Sequence, residues 1–441
     1  MTKSVLNMLP KPSEGLSTPY AFLPNGEPNA IPHRTVHPFF APVGGINATG
    51  NDMARYMLAQ LNAGDGESSV LSPELYRQMH TQIRTNHELS SGYGMIYFTL
   101  DWNGVNTVIH GGDWPGTHSG MLLIPELDTG IFFSLLAEYP EVPLLESITG
   151  SQRLTPNPDI VVDTPITNLG VLFDFTESFL GKYEQPATAS KETANLQEYV
   201  GSYVGQSAAF STMERMLSLG NEFSVVDVTI DETGDGLMIN GKGPYKSIGA
   251  DSFWSEAYRE IPLDGLFLDS PIFNFARDET GAIDYLVPLV GFDVWVKSGA
   301  LSNPQTYGTA WALLFAVCLT AIIAIFYPRI PGRRWAKWLP GFVLVGLVAQ
   351  PLILMLGYAP GTTIVDDLFF GHGSRFTLFT LASIFVSLSA LVLGWNVILA
   401  WRESFWDGAR FGVVLRLHYS VLGIAALLFI PVFAFLHLLG V

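Results

Sequence analysis

An α+β front part, a small antiparallel β barrel or sandwich behind it, and a four-helix transmembrane bundle at the C-terminal end make up the fold class that the sequence predicts. Three observations predict it. Four stretches from Thr309 onward are apolar and long enough to cross a bilayer. From Leu196 to Trp295, short alternating strands are separated by regular Gly, Asp and Asn turns. From Phe39 to Pro140, capped helices are followed by strand pairs. The implied boundaries are 1–184, 185–304 and 305–441.

The C-terminal spans come first because they are the clearest. A spanning helix needs roughly 20 mostly apolar residues. Thr309–Tyr327, Leu339–Tyr358, Phe376–Trp401 and Leu417–Leu439 meet this, and none contains Asp, Glu, Lys or Arg. Tyr327, Trp335, Trp338, Tyr358, Trp401 and Trp406 sit near the ends, where amphipathic rings anchor at the headgroups. Gln350-Pro351 predicts a kink in the second span. A buried helical core in a soluble protein would show neither the aromatic flanks nor the alternating loop charge. His418 and His437 lie in the last span, but no Asp, Glu or Lys accompanies them to form a proton relay. Anchoring, rather than transport, is the expected role.

Charge divides the chain in the same place. Of 441 residues, 48% are hydrophobic and 14% charged, with a net charge of −17. Up to Pro304 the balance is −21, and beyond it +4. So acidic a front part repels phosphate backbones, which excludes nucleic acid as a partner. The first connection between spans carries Arg329, Arg333, Arg334 and Lys337, and the third carries Arg402, Arg410 and Arg416. The middle one carries Asp366 and Asp367. The positive-inside rule puts the first and third in the cytoplasm, so the front module and Val441 are expected outside, in a multi-pass cell-membrane protein. Met1–Pro12 has no apolar core of signal-peptide length. The single cysteine, Cys318, excludes a disulfide framework.

In the front part, Met53, Tyr56, Met57 and Leu61 fall at helical spacing behind an Asn51/Asp52 cap. Ser72-Pro73-Glu74 starts a second helix. Gly92-Tyr93-Gly94 leads into a strand ending at Asp101, and a turn at Asn103-Gly104 leads to the strand Val105–His110. His110-Gly111-Gly112-Asp113 follows, then strands at Met121–Ile124 and Ile131–Leu136. Glu141–Glu184 reads as a closing helix around Phe173–Leu180 together with a Pro-rich linker at Thr155–Pro158.

This order resembles the C-terminal half of the serine beta-lactamase-related family, which includes class C beta-lactamases, penicillin-binding DD-peptidases and esterases. His110-Gly111-Gly112 is similar to that family's third motif, Lys-Thr-Gly or His-x-Gly. The resemblance implies a DD-peptidase-like antiparallel sheet with the motif on an edge strand of the cleft. It makes His110, Gly111, Gly112 and Asp113 the substrate-binding candidates, with Asp113 N–H as an oxyanion donor. A lone His-Gly-Gly at a strand end also has a bland reading, since tight strand ends favour glycine.

The departure from the family lies in the nucleophile. Its chemistry needs Ser-x-x-Lys, the acylated serine with its activating lysine. No serine of the soluble part has lysine three positions later, and neither Tyr-x-Asn nor Ser-x-Asn occurs there. Met1-Thr2-Lys3-Ser4 resembles a family segment that follows both missing motifs. The chain therefore reads as a membrane-anchored serine hydrolase relative that is N-terminally truncated, with no catalytic residue of its own and inactive alone. Its intact relative would act on a peptide, ester or amide. The alternative is a non-enzymatic, membrane-anchored interaction protein. In either case a separately supplied N-terminal half is an expected partner.

No other chemistry competes. Gly-x-Ser-x-Gly and His-Glu-x-x-His are absent from the sequence, and His33 and His37 are bracketed by Pro32 and Pro38, so neither a metal nor another cofactor is expected. His118 reads as a residue of the next strand or its turn. The acidic turns at Glu232–Gly236 and Asp278–Gly281 lack EF-hand spacing and read as hairpin tips. Phe223, Phe253, Trp254, Phe267, Phe273, Phe275 and Trp295 are the expected core of the small β unit.

Overall fold

The computed structural model describes residues 1, 3–6, 15–22, 28–30, 41–62, 70–114, 117–138, 168–187, 195–206, 213–219, 224–258, 270–290, 294–330, 332–355 and 374–440. His33, His37, the Thr155–Pro158 linker, Phe223, Phe267 and the Asp366-Asp367 connection lie outside these residues. The chain forms two compact units: residues 1–207 with 225–299, and residues 208–224 with 300–441.

In the first unit, helix Gly50–Leu61 starts where the Thr49 hydroxyl accepts from Asp52 N at 3.2 Å. The cap is therefore Thr49, whose extended backbone suits it, and Asn51 and Asp52 fall inside the first turn. Asp52 is 1% exposed, and its carboxylate accepts from Lys3 N at 2.8 Å and Ser4 Oγ at 2.9 Å. Helix Pro73–His80 starts as the sequence predicts, with Ser72 Oγ accepting from Leu75 N at 3.3 Å.

Six antiparallel strands follow in the spatial order Thr129–Leu135, Thr117–Ile124, Val105–Trp114, Phe98–Trp102, Gly92–Tyr93 and Arg84–Thr85. The turn between the third and fourth is Asn103-Gly104, with φ of 55° and 89°. Both angles are left-handed, as a two-residue hairpin that follows the strand twist requires. Alternate strand residues divide between two faces. On one, Val108, Met121 and Leu123 pack with Met53, Tyr56 and Met57 of the first helix and Met79 of the second. On the other, Leu100, Trp102, Ile109 and Leu122 pack with Leu172 and Phe173 of helix Asn168–Leu180. The sheet is thus covered by helices on both faces.

The small β unit is a closed barrel of eight antiparallel strands in sequence order, Gly201–Gly205, Val225–Ile230, Leu237–Ile239, Lys242–Gly249, Ser252–Trp254, Ile272–Arg277, Ile283–Pro288 and Trp295–Ser298. Closure pairs Tyr203 with Lys297 and removes both sheet edges. Side chains fill the interior, as an eight-stranded barrel permits: Tyr203, Tyr245, Phe253, Phe273, Phe275 and Trp295 are all buried. The hairpin tips are self-sufficient. Asp231 Oδ1 accepts from the backbone N–H of Gly234, Asp235 and Gly236, and Asp278 Oδ1 from Thr280 and Ala282. At one end, Arg277 donates two bonds to Asp251 at 2.8 and 2.9 Å and another to Glu198 at 2.9 Å. Burial pushes the Asp251 carboxyl up, but Arg277 and Tyr199 outweigh it and hold the group below the usual carboxylate range.

Barrel and sheet share one core. Trp254, Ile272, Leu289 and Val290 join the cluster of Leu100, Trp102 and Leu172. Ser91 N donates to Leu289 O at 2.7 Å.

The second unit holds four helices long and apolar enough to cross a membrane, over Pro304–Phe326, Ala336–Ile353, Phe376–Arg402 and Gly412–Phe435. The first begins at an Asn303 cap and tightens to a 3₁₀ helix from Thr320. The fourth begins at Gly412, ahead of the expected Leu417, and so takes in Arg416. Some polar groups pair between the helices: Gln350 Nε2 donates to the buried Ser383 Oγ at 2.9 Å, and His418 meets Thr320 Oγ1 at 2.8 Å and the Tyr327 hydroxyl. Close crossings use small residues, as a Cβ on Gly346 would lie 2.5 Å from Val386 Cγ2. The 3₁₀ segment Met213–Leu219 belongs to this unit, with Arg215 stacked on the Phe435 ring at 3.7 Å.

Candidate functional site

The His110–Asp113 stretch lies on the strand Val105–Trp114, which continues four residues past the predicted end at His110. Along its first half the strand is interior. It pairs with Phe98–Trp102 on one side, from Trp102↔Val105 to Phe98↔Ile109. On the other side it pairs with Thr117–Ile124, from Val108↔Leu123 to Trp114↔Thr117. The first pairing stops at Ile109 because the chain bends through Met95–Tyr97. Among the described residues, no strand faces His110–Trp114 on that side. The edge position implied by the resemblance is therefore found in the second half of the strand only.

Hairpin geometry assigns the open groups. In a two-residue hairpin the residues flanking the turn exchange backbone hydrogen bonds, here Trp102 and Val105. Every second residue from Val105 then faces the Phe98–Trp102 side: Thr107, Ile109, Gly111 and Asp113. That pairing ends at Ile109, so among the described residues the N–H and C=O of Gly111 and Asp113 point to a side that no strand occupies. One of these groups is engaged, since His110 Nδ1 lies 2.7 Å from Gly111 O. Nδ1 therefore carries the proton and donates, leaving Nε2 as the outward nitrogen of the exposed ring. Gly112 faces the opposite strand, where Ser119 Oγ donates to its carbonyl at 3.3 Å. A Cβ on Gly112 would come 2.6 Å from that Oγ, so glycine has a steric reason here.

Beneath the edge lies a polar aromatic layer that sequence reading passed over. The His110 ring meets Tyr97 edge-on at 6.4 Å and Phe98 at 6.1 Å. Tyr97 is 2% exposed and shares a hydrogen bond with the Tyr56 hydroxyl. Burial, then this bond, pushes its phenol up, so it stays protonated. His80 sits 5.7 Å from the Tyr97 ring and bonds Gln60 Oε1 through Nε2 at 3.0 Å. Burial holds His80 below the usual imidazole range. Thus both helices on this face contribute to the floor under His110. Single tyrosines and histidines without a shared period leave no local signal of such a layer.

His118 is placed on the neighbouring strand opposite Asp113. A groove of about 340 Å³ lined by Asp101, Asn103, Tyr183 and Glu184 lies at the other end of the strand, away from His110. Among the described residues no group of three or more His, Cys, Asp or Glu could hold a metal ion. The chemical capacity of the open edge is donation: backbone N–H groups can pair with an extended chain or stabilise a negative oxygen.

The first unit is thus a mixed fold, an antiparallel sheet covered by helices on both faces, together with the eight-stranded barrel. Residues 9–146 match the Beta-lactamase family model, so this stretch of the chain is similar to that family. Solved structures that match include the crystal structure of SurE, at 15% identity over 66% of this chain and 58% of that one, TM-score 0.37. The octameric penicillin-binding protein homologue from Pyrococcus abyssi matches at 14% identity over 65% and 54%, TM-score 0.27. SurE with D-Leu matches at 14% identity over 59% and 52%, TM-score 0.32. The chain thus spans little more than half the length of these structures. No curated protein matches.

Proposed function

We propose that this chain is the membrane-anchored, oxyanion-strand part of a beta-lactamase-related serine hydrolase, and that it does not turn over substrate alone. The open backbone edge at Gly111 and Asp113 carries this reading. Such an edge can hold an acyl substrate in extended form and stabilise a tetrahedral oxygen, an effect of about 3 kcal/mol per donor in enzymes that use one. Ser-x-x-Lys is absent from the soluble part, so the acylated serine and its lysine would be supplied by residues outside these 441, such as a separate N-terminal half. The substrate would be a peptide, ester or amide, met outside the cytoplasm if the arginine-rich connections face inward. The absence of the nucleophile favours a second reading, a membrane-anchored protein that binds acyl or peptide ligands on the same edge without chemistry.

Incubating the purified chain with a fluorescent penicillin and a fluorophosphonate probe tests the first reading. No serine of the chain alone should be labelled, and co-expression with a Ser-x-x-Lys half should restore labelling of that half. Stoichiometric labelling of a serine in this polypeptide would overturn it. Binding of a peptide ligand without labelling in either preparation would establish the second reading instead.

A further inference from the structure

The two arginine-bearing connections of the helical unit are knitted into one surface. Arg333 forms a two-pronged pair with Glu403, at 2.9 and 3.1 Å. Trp406 Nε1 donates to Pro328 O at 2.9 Å, and the Tyr419 hydroxyl donates to Ala336 O at 2.8 Å. Both acids of these connections are spent: Glu403 on Arg333, and Asp407 on the buried Arg416 at 3.2 Å. Lys337 is also committed, its Nζ donating to Ile325 O and Tyr327 O at 3.2 and 3.3 Å. What remains is a set of exposed arginines, Arg329, Arg334, Arg402 and Arg410, with no acidic partner among the described residues. Half-exposed Trp335 and Trp338 lie among them, 49% and 44% exposed, as indoles do at headgroup depth.

We propose that this end of the bundle is a docking surface for the headgroups of anionic phospholipids. Charge complementarity selects this occupant. Four unspent guanidiniums on a rigid platform at the mouth of apolar helices face the depth where lipid phosphates lie, and each can grip a phosphate through paired N–H donors. The chain as a whole is strongly acidic, at −17, so the attraction is local to this face. A zwitterionic leaflet leaves these charges uncompensated, whereas an anionic one neutralises them.

The test uses the full chain in nanodiscs of equal phosphatidylglycerol and phosphatidylcholine at about 150 mM salt, near a physiological Debye length. Lipids retained after dilution into detergent are counted by native mass spectrometry. The wild type should retain phosphatidylglycerol several-fold over phosphatidylcholine, and Arg329→Gln/Arg334→Gln/Arg402→Gln/Arg410→Gln should fall to the bulk ratio. The pair Arg329→Gln/Arg334→Gln alone, a smaller risk to folding, should give an intermediate value. Replacing all four by lysine keeps the charge but not the paired donors, so part of the preference should survive, and its complete loss there would reject a surface built on charge. A wild-type ratio equal to bulk would overturn the proposal. So would complete displacement of the lipid by millimolar inorganic phosphate, which would mark a soluble-anion site.

Discussion

Asn274 Nδ2 donates to Ser90 Oγ at 2.9 Å across 184 residues of sequence, with both side chains buried. This bond ties the barrel strand Ile272–Arg277 to the turn between Arg84–Thr85 and Gly92–Tyr93 of the six-stranded sheet. It lies beside the shared apolar cluster, where the cost of an unmet polar group is greatest. Asn274→Ala removes the donor, leaves the Ser90 hydroxyl without it and opens a small void. The expected loss is about 2 kcal/mol of unfolding free energy. Urea titration of the chain in detergent, read by tryptophan fluorescence, checks this. A midpoint unchanged from wild type would show that barrel and sheet are not coupled through Asn274.

Asn103 does two jobs at the other end of the sheet. Its φ of 55° suits the left-handed hairpin turn. Its side chain donates to Lys182 O at 2.8 Å and Leu180 O at 3.3 Å, and accepts from Glu184 N at 2.9 Å. It thereby fastens the end of the covering helix. Asn103→Ala should cost about 2 kcal/mol, whereas Asn103→Gly, which relieves only the backbone, should cost nearly as much. Hydrogen exchange of the amides of residues 181–184 should rise in both variants. Protection equal to wild type in the alanine variant would contradict the anchoring role.

Stability should also depend on pH in a defined direction. Burial holds His80 and His87 below the ordinary imidazole value, with Glu88, Ala250 O and Asp251 pulling His87 back up. His87 Nδ1 accepts from Leu89 N at 3.2 Å, which a protonated ring cannot do. A histidine with a depressed folded pKa takes up its proton more readily unfolded. Stability is therefore full above about pH 6.5 and falls as the pH drops below it, until the folded groups also protonate. Urea midpoints at pH 8, 6.5 and 5.5 should decline in that order, and His87→Gln should flatten the decline. A midpoint that rises on acidification would refute the assignment.

The legible parts of the fold were those with a local cause. The Ser72-Pro73 helix start, the Asn103-Gly104 turn and the apolar spans each announce themselves within a few residues. What stayed hidden depends on distant partners. Asp52 reads as a cap until Lys3 and Ser4 are seen on its carboxylate, and no local pattern assigns Met213–Leu219 to the helical unit. For the candidate site, His110-Gly111-Gly112 pointed in the sequence to the end of one strand, which the structure extends to Trp114. Which half of that strand is open follows only from where Phe98 stops pairing.

Gly112 offers the most direct test of the edge geometry. Its Cβ position is blocked by Ser119 Oγ at 2.6 Å, while that hydroxyl donates to the Gly112 carbonyl. Gly112→Ala must therefore push the two strands apart or turn the serine out, at a cost of about 1–2 kcal/mol. Ser119→Ala alone removes the weak hydrogen bond to the Gly112 carbonyl, a loss of about 1 kcal/mol. If the obstruction is that single oxygen, Gly112→Ala with Ser119→Ala should be more stable than Gly112→Ala alone, giving a coupling of about 1 kcal/mol in a double-mutant cycle. Simple additivity would mean instead that the strand itself, rather than Ser119, excludes a side chain at this position, and the tight pairing inferred beside the open edge would fail.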